Sequence, residues 1–203
     1  MANGLSQLPA ELMVGTERFK GDGASNGLTL LDYWRWRSSV LLDNTERGIL
    51  AEFLIASALD LHSTPRREWG DADITLDSGV KIEIKSAAYV QSWSQNVYSD
   101  IRFGIAPHTG WDASTGEYSD VKKRWAHIYV FCVYTRKEPP FDPMNVDEWD
   151  FYVISTKILD AEIPTQITIG LRPLERLPVH KCRYENLRLI ILEMSKEIIV
   201  ESK

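Results

Sequence analysis

The chain has 203 residues, 44% hydrophobic and 26% charged, which is the make-up of one globular domain with a substantial core. A formal net charge of −6 excludes a polycation-like nucleic-acid binder. It leaves a local basic groove open, because screening at physiological salt acts over about 8 Å.

The longest apolar stretch, IYVFCVY at 128–134, is far shorter than a bilayer span. The start, MANGLSQLPAEL, lacks the basic and apolar segments of a signal peptide. Cys132 and Cys182 have no metal-ligand spacing, and Cys132 lies in an apolar run where it packs as a small hydrophobe. A reduced, cytoplasmic setting is the expectation.

Residues 1–28 are rich in Gly, Asn and Ser and read as an N-terminal arm. LTLLDYWRWRSSVLL, 28–42, has helical spacing, with Leu30, Leu31, Trp34, Val40 and Leu41 as the expected buried set. Arg35, Trp36 and Arg37 interleave basic and aromatic character. They fit a DNA-facing helix, where arginine holds phosphate and tryptophan stacks. A tryptophan-anchored packing helix with solvated arginines is the preferred reading.

Asp43 and Glu46 have capping-box spacing, with Asn44 and Thr45 as alternative N-caps, and the helix should run to about Leu61. Apolar residues lie almost all round it (Ile49, Leu50, Phe53, Leu54, Ile55, Leu59), so it should be well buried. Glu52 is the exception, with the small or apolar Gly48, Ala51, Ile55 and Ala56 as its helix neighbours. A buried, unpaired carboxylate costs several kcal/mol. Glu52 therefore reaches a donor, a metal or water, unless that face of the helix is simply solvated.

WGDADITLDSGVKIEIKSAAYVQSW, 69–93, reads as two short strands and a turn. Glu83 and Lys85, two apart, share a face. A three-residue loop at Asp77, Ser78 and Gly79, with Gly79 left-handed, sets Asp73 opposite Glu83. Asp71 competes with Asp73, since a one-residue change of register swaps them. Ile74, Leu76, Ile82 and Ile84 then form the opposite, core-facing side. The triplets Asp120-Val121-Lys122 and Glu201-Ser202-Lys203 repeat the acid-x-Lys pattern, one in a polar stretch and the other at the C-terminus, and neither is expected in a strand.

Downstream, SAAYVQSWSQ (86–95) suggests a strand tail entering a helical turn, and IRFGIAP (101–107) a strand. Residues 108–124 read as a polar loop carrying Lys122, Lys123 and Arg124. AHIYVFCVYTR (126–136) should be a strand buried on both faces, 138–148 a proline-rich loop, and 149–159 a strand. Residues 167–177 are ambiguous, and 183–197 has the pattern of an amphipathic helix.

With these residues in place, the chain resembles the PD-(D/E)XK nuclease superfamily, clearest from Gly48 to Trp93. GILAE (48–52) resembles its acid-bearing helix, DADI (71–74) its first acid and IEIK (82–85) its acid-x-Lys strand. The proline of the motif is absent, and 61–70 leaves little room for the strand the superfamily usually places before the first acid. The resemblance implies an α/β fold with a restriction-endonuclease-like core, a central mixed β-sheet flanked by α-helices, in a single domain over 1–203.

It also implies a magnesium-dependent endodeoxyribonuclease, with manganese as a substitute metal, acting in restriction or phage defence. Asp73, Glu83, the Ile84 carbonyl and Glu52 would serve the metal, Lys85 would activate water or stabilise the transition state, and Gln91 would assist. Magnesium's taste for hard oxygen ligands suits that set. Arg35, Arg37, Arg66, Arg67, Lys122, Lys123 and Arg124 are candidate DNA-backbone contacts. A homodimer is one arrangement the resemblance allows. A catalytically silent nucleic-acid-binding or protein-interaction domain is the alternative.

Overall fold

A computed structural model describes residues 10–24, 27–66, 72–112 and 117–201. Two of the sequence-derived candidates, Arg67 and Asp71, lie outside the described residues.

The most apolar segment of the chain becomes the middle strand of the main sheet. Strand β6 (Ile128–Tyr134) is buried at every position, as a run without polar alternation requires when both faces are covered. The sheet has five strands in the order β1 (Ile74–Thr75), β2 (Lys81–Ala88), β6, β7 (Trp149–Ser155) and β9 (His180–Cys182). β2 and β6 are parallel and the other pairings antiparallel, so the protein is α/β with a mixed sheet.

Strand parity sorts the core into two layers. Ile82, Ile84, Val130, Cys132, Phe151 and Val153 face helices α2 (Asn44–Ala58) and α5 (Tyr184–Glu201), packing on Leu54, Ile55, Leu187 and Ile191. Ala87, Tyr129, Phe131, Val133, Tyr152 and Ile154 face the other way. They are covered by β3 (Arg102–Gly104), α3 (Thr156–Glu162), β8 (Thr168–Gly170) and α4 (Leu171–Leu174), through Phe103, Leu159, Ile169 and Leu174. Each such fully buried apolar side chain contributes about 1.5–3 kcal/mol.

Several expectations need correction. Helix α1 (Leu30–Ser38) buries none of its residues, and Leu31, Trp34 and Val40 are exposed rather than packed. Its helical spacing reflects local capping, Thr29 with Asp32, and not a core face. Asp43 does cap α2 by accepting from the Thr45 N–H, but Glu46 turns to Arg37 instead of closing a capping box. α2 ends at Ala58, and Phe53 on it is 53% exposed, so the helix is half-buried.

The polar segment after Pro107 is not a loop, and the Asp120-Val121-Lys122 triplet expected outside a strand lies in one. It forms a hairpin of β4 (His108–Asp112) and β5 (Glu117–Lys123), with the Trp125 indole donating to the His108 carbonyl at its base. Gly110 lies against that indole, where a Cβ would come within 2.6 Å of the ring. Residues 89–101 contain no helical turn. β7 stops at Ser155, whose hydroxyl accepts from the Ile158 N–H and caps α3. The ambiguous 167–177 segment divides into β8 and α4. No strand appears among the described residues between α2 and Asp73.

Candidate functional site

The hairpin of β1 and β2 has the expected register, Ile74 opposite Ile82 and Thr75 opposite Lys81. Its loop holds Asp77, Ser78 and Gly79. The Leu76 N–H donates to the Val80 carbonyl at 2.9 Å, the Gly79 N–H to the Leu76 carbonyl at 2.8 Å, and Gly79 has φ +83°. Ile74, Leu76, Ile82 and Ile84 all pack into the helix-facing core. Glu83 and Lys85 therefore project from the opposite face of the sheet.

Asp73 is held next to them. Since Leu76 and Val80 form a hydrogen-bonded pair, continuing the ladder would bring the Ile84 N–H to the Ala72 carbonyl. The chain bends there, and the Asp73 Oδ2 accepts that N–H at 2.7 Å. The Ile84 carbonyl projects to the same strand edge as its N–H, beside the Asp73 carboxylate. Burial, and then the neighbouring Glu83 charge, push the Asp73 carboxyl above its ordinary value. The Ile84 N–H, Lys85 and Arg66 oppose that rise only in part.

Lys85 Nζ pairs with Glu83 Oε1; the Glu83 side chain is 14% exposed and that of Lys85 34%. Glu52, on α2, takes a two-pronged bond from Arg66, Nε to Oε2 at 2.5 Å and Nη2 to Oε1 at 2.9 Å. Arg66 is thus the cation that answers the Glu52 question, and it also acts on Asp73. Among the described residues, no three acidic, histidine or cysteine side chains converge as a ready metal cage. The carboxylates of Asp73 and Glu83 with the Ile84 carbonyl remain a hard-oxygen set of the size magnesium uses when it keeps several waters.

Gln91 stands apart from this group. Its Oε1 accepts from Arg47 at 3.0 Å, and its Nε2 donates to the Ala88 carbonyl at 2.9 Å and to Ser99 Oγ at 3.2 Å. With no helix after β2, nothing aims it back toward Lys85. Its role is to knit the 89–99 loop to the buried Arg47 of α2.

The candidate phosphate contacts divide in the same manner. Arg124 is buried, donating to the carbonyls of Ile105, Ile163 and Gln166 and paired with Asp160, so it is structural. Arg37 pairs with Glu46 and Arg66 with Glu52. Arg35 is exposed on α1, and Lys122 and Lys123 lie on the β4–β5 hairpin, with Lys123 Nζ 4.3 Å above the Trp125 ring.

Sequence reasoning missed Tyr129. It pairs in register with Glu83 on the neighbouring strand and is buried. Burial and the Glu83 carboxylate raise its hydroxyl's pKa, keeping it protonated. Only knowledge that β2 and β6 are partners could have found it.

No family profile, no curated protein and no solved structure matches this chain.

Proposed function

We propose that the protein is a metal-dependent nuclease that hydrolyses DNA phosphodiesters at Asp73, Glu83 and Lys85, on a restriction-endonuclease-like core. The observation that carries this reading is geometric: the Ile84 N–H holds the Asp73 carboxylate at 2.7 Å next to the strand that bears the Glu83–Lys85 pair. Two carboxylates whose charges disfavour one another have a natural counterpart in a divalent cation.

Asp73, Glu83 and the Ile84 carbonyl would hold magnesium, with Glu52 reaching it through water once released from Arg66. When bound, the metal would polarise a phosphoryl oxygen and lower the pKa of water. Asp73 presents one oxygen while the Ile84 N–H fixes the other. Lys85 leaves Glu83 for the attacking water or the developing phosphoryl charge, and a positioned cation of this kind contributes mainly in the transition state. Tyr129, opposite Glu83 in register on β6, walls that side of the site.

The test is conversion of supercoiled plasmid to nicked or linear DNA with magnesium, with manganese and with EDTA, for the wild type and Asp73→Ala. Metal-dependent cutting by the wild type alone supports the reading; equal cutting by the variant defeats it.

A second reading is a silent, nucleic-acid-binding member of the same architecture. It is favoured by the two closed ion pairs, Glu52 with Arg66 and Glu83 with Lys85, which neutralise the acids without a metal. Binding of DNA with no cleavage under any divalent metal would select it.

A further inference from the structure

At the carboxyl ends of the parallel strands β2 and β6, the loops 89–100 and 135–145 enclose an open cleft of about 600 Å³. Ligands favour this end of parallel strands. Trp93, Tyr98 and Phe141 line the cleft and remain 53%, 49% and 38% exposed. Lys137 stands on its wall, its Nζ 4.2 Å from the Tyr89 ring centre and 5.5 Å from that of Tyr98.

The wall bearing Trp93 is tied down from within. The Gln91 N–H donates to Gln95 Oε1 at 2.6 Å, Gln95 Nε2 donates to Ser99 Oγ at 2.9 Å, and the Ser99 N–H donates to the Tyr89 carbonyl at 2.8 Å. Tyr98 is held by its hydroxyl, which donates to Glu138 at 2.8 Å. These bonds fix the backbone around Trp93 and Tyr98; the Trp93 indole stays 53% exposed for stacking, while Lys137 stands over the Tyr98 ring.

The cleft follows the candidate site along the chain. Tyr89 packs in the same core layer as Ala87, on the sheet face that carries Glu83 and Lys85. Gln91 lies six positions after Lys85, at most about 20 Å of extended chain.

We propose that this cleft takes one unpaired nucleotide of a DNA strand, its base stacked among Trp93, Tyr98 and Phe141 and its phosphate against Lys137. The inference rests on the nuclease reading and names its substrate more closely as DNA with an unpaired segment. A rigid duplex keeps its bases inside the stack and cannot offer one to the cleft.

Fluorescence anisotropy with a labelled oligothymidylate and with a duplex of the same length, both in EDTA, tests it. Trp93→Ala should weaken single-strand binding about fivefold to a hundredfold, the range for losing one base–aromatic stack, and leave duplex binding unchanged. Trp93→Phe should restore most of the loss. Lys137→Gln should reduce the slope of log affinity against log salt by about 0.7, the contribution of one phosphate on a single strand. Equal affinity of wild type and Trp93→Ala for the oligonucleotide, or equal weakening for both DNA forms, overturns the proposal. Lys85-dependent cleavage with Trp93-independent binding defeats the cleft and spares the nuclease reading. Trp93-dependent binding by a protein that never cuts DNA with magnesium does the reverse.

Discussion

Asp73 and Ile84 are joined by a side-chain bond where the sheet ladder would have supplied a backbone one: Oδ2 accepts the Ile84 N–H at 2.7 Å. That substitution ends β1 and presses the carboxylate into a half-buried setting beside Glu83. Its pKa rises, with burial the larger cause and Glu83 the next.

The sign of the pH effect follows. An acid whose folded pKa exceeds its unfolded value stabilises the protein below the unfolded value, and that stability is lost as pH rises through the folded one. The metal-free protein should therefore lose stability as pH climbs from the ordinary aspartate value of 3.8 through the raised value of Asp73. Asp73→Asn keeps an acceptor for Ile84 and removes the charge, so it should flatten this dependence and be the more stable protein at neutral pH. Denaturant melts in EDTA across that pH range check it; an unchanged slope contradicts it.

Arg66 lowers the Asp73 pKa while bonding Glu52. Arg66→Ala should shift the same pH transition upward. A double-mutant cycle of Arg66→Ala with Glu52→Gln should give a coupling of about 1 kcal/mol or less, since Arg66 is 36% exposed.

Much of this hairpin was legible in advance because it is local. Alternation fixed the common face of Glu83 and Lys85, and Asp-Ser-Gly fixed a three-residue turn that carries Asp73 to Glu83. The buried run of β6 was equally plain. Tyr129 was not legible, because it reaches the site through pairing of strands about forty residues apart. The partners of Arg66 and Arg124, Glu52 and Asp160, were not legible because sequence shows a charge but not what it pairs with. The exposed face of α1 failed for another reason: helical spacing of apolar residues does not say whether anything covers them.

Magnesium should stabilise the protein if Asp73 and Glu83 hold it. A cation at one hundred times its dissociation constant adds about 2.7 kcal/mol. For a chain of this size that raises Tm by about 5–11 °C. The rise should vanish in Asp73→Asn. Thermal melts over a magnesium titration measure it, and an equal rise in the variant would point to binding elsewhere.

Arg124, one residue past β5, donates to the Ile105 carbonyl after β3 and to the Ile163 and Gln166 carbonyls of the turn after α3. Arg124→Met should cost about 2–4 kcal/mol, the loss of several charge-assisted bonds at a buried site. The folded variant should bind DNA as the wild type does. A stable variant with weakened DNA binding would return Arg124 to the phosphate-contact role.

The most direct measurement is single-turnover cleavage of end-labelled DNA containing an unpaired segment, in magnesium, by wild type and by Lys85→Ala at matched folded concentration. Lys85 is 34% exposed and, among the described residues, its ion pair is with Glu83, so the variant should fold. The account predicts metal-dependent cleavage by the wild type and a fall of at least about a hundredfold in the variant, the scale for removing a transition-state cation. Equal rates in the two proteins would contradict it.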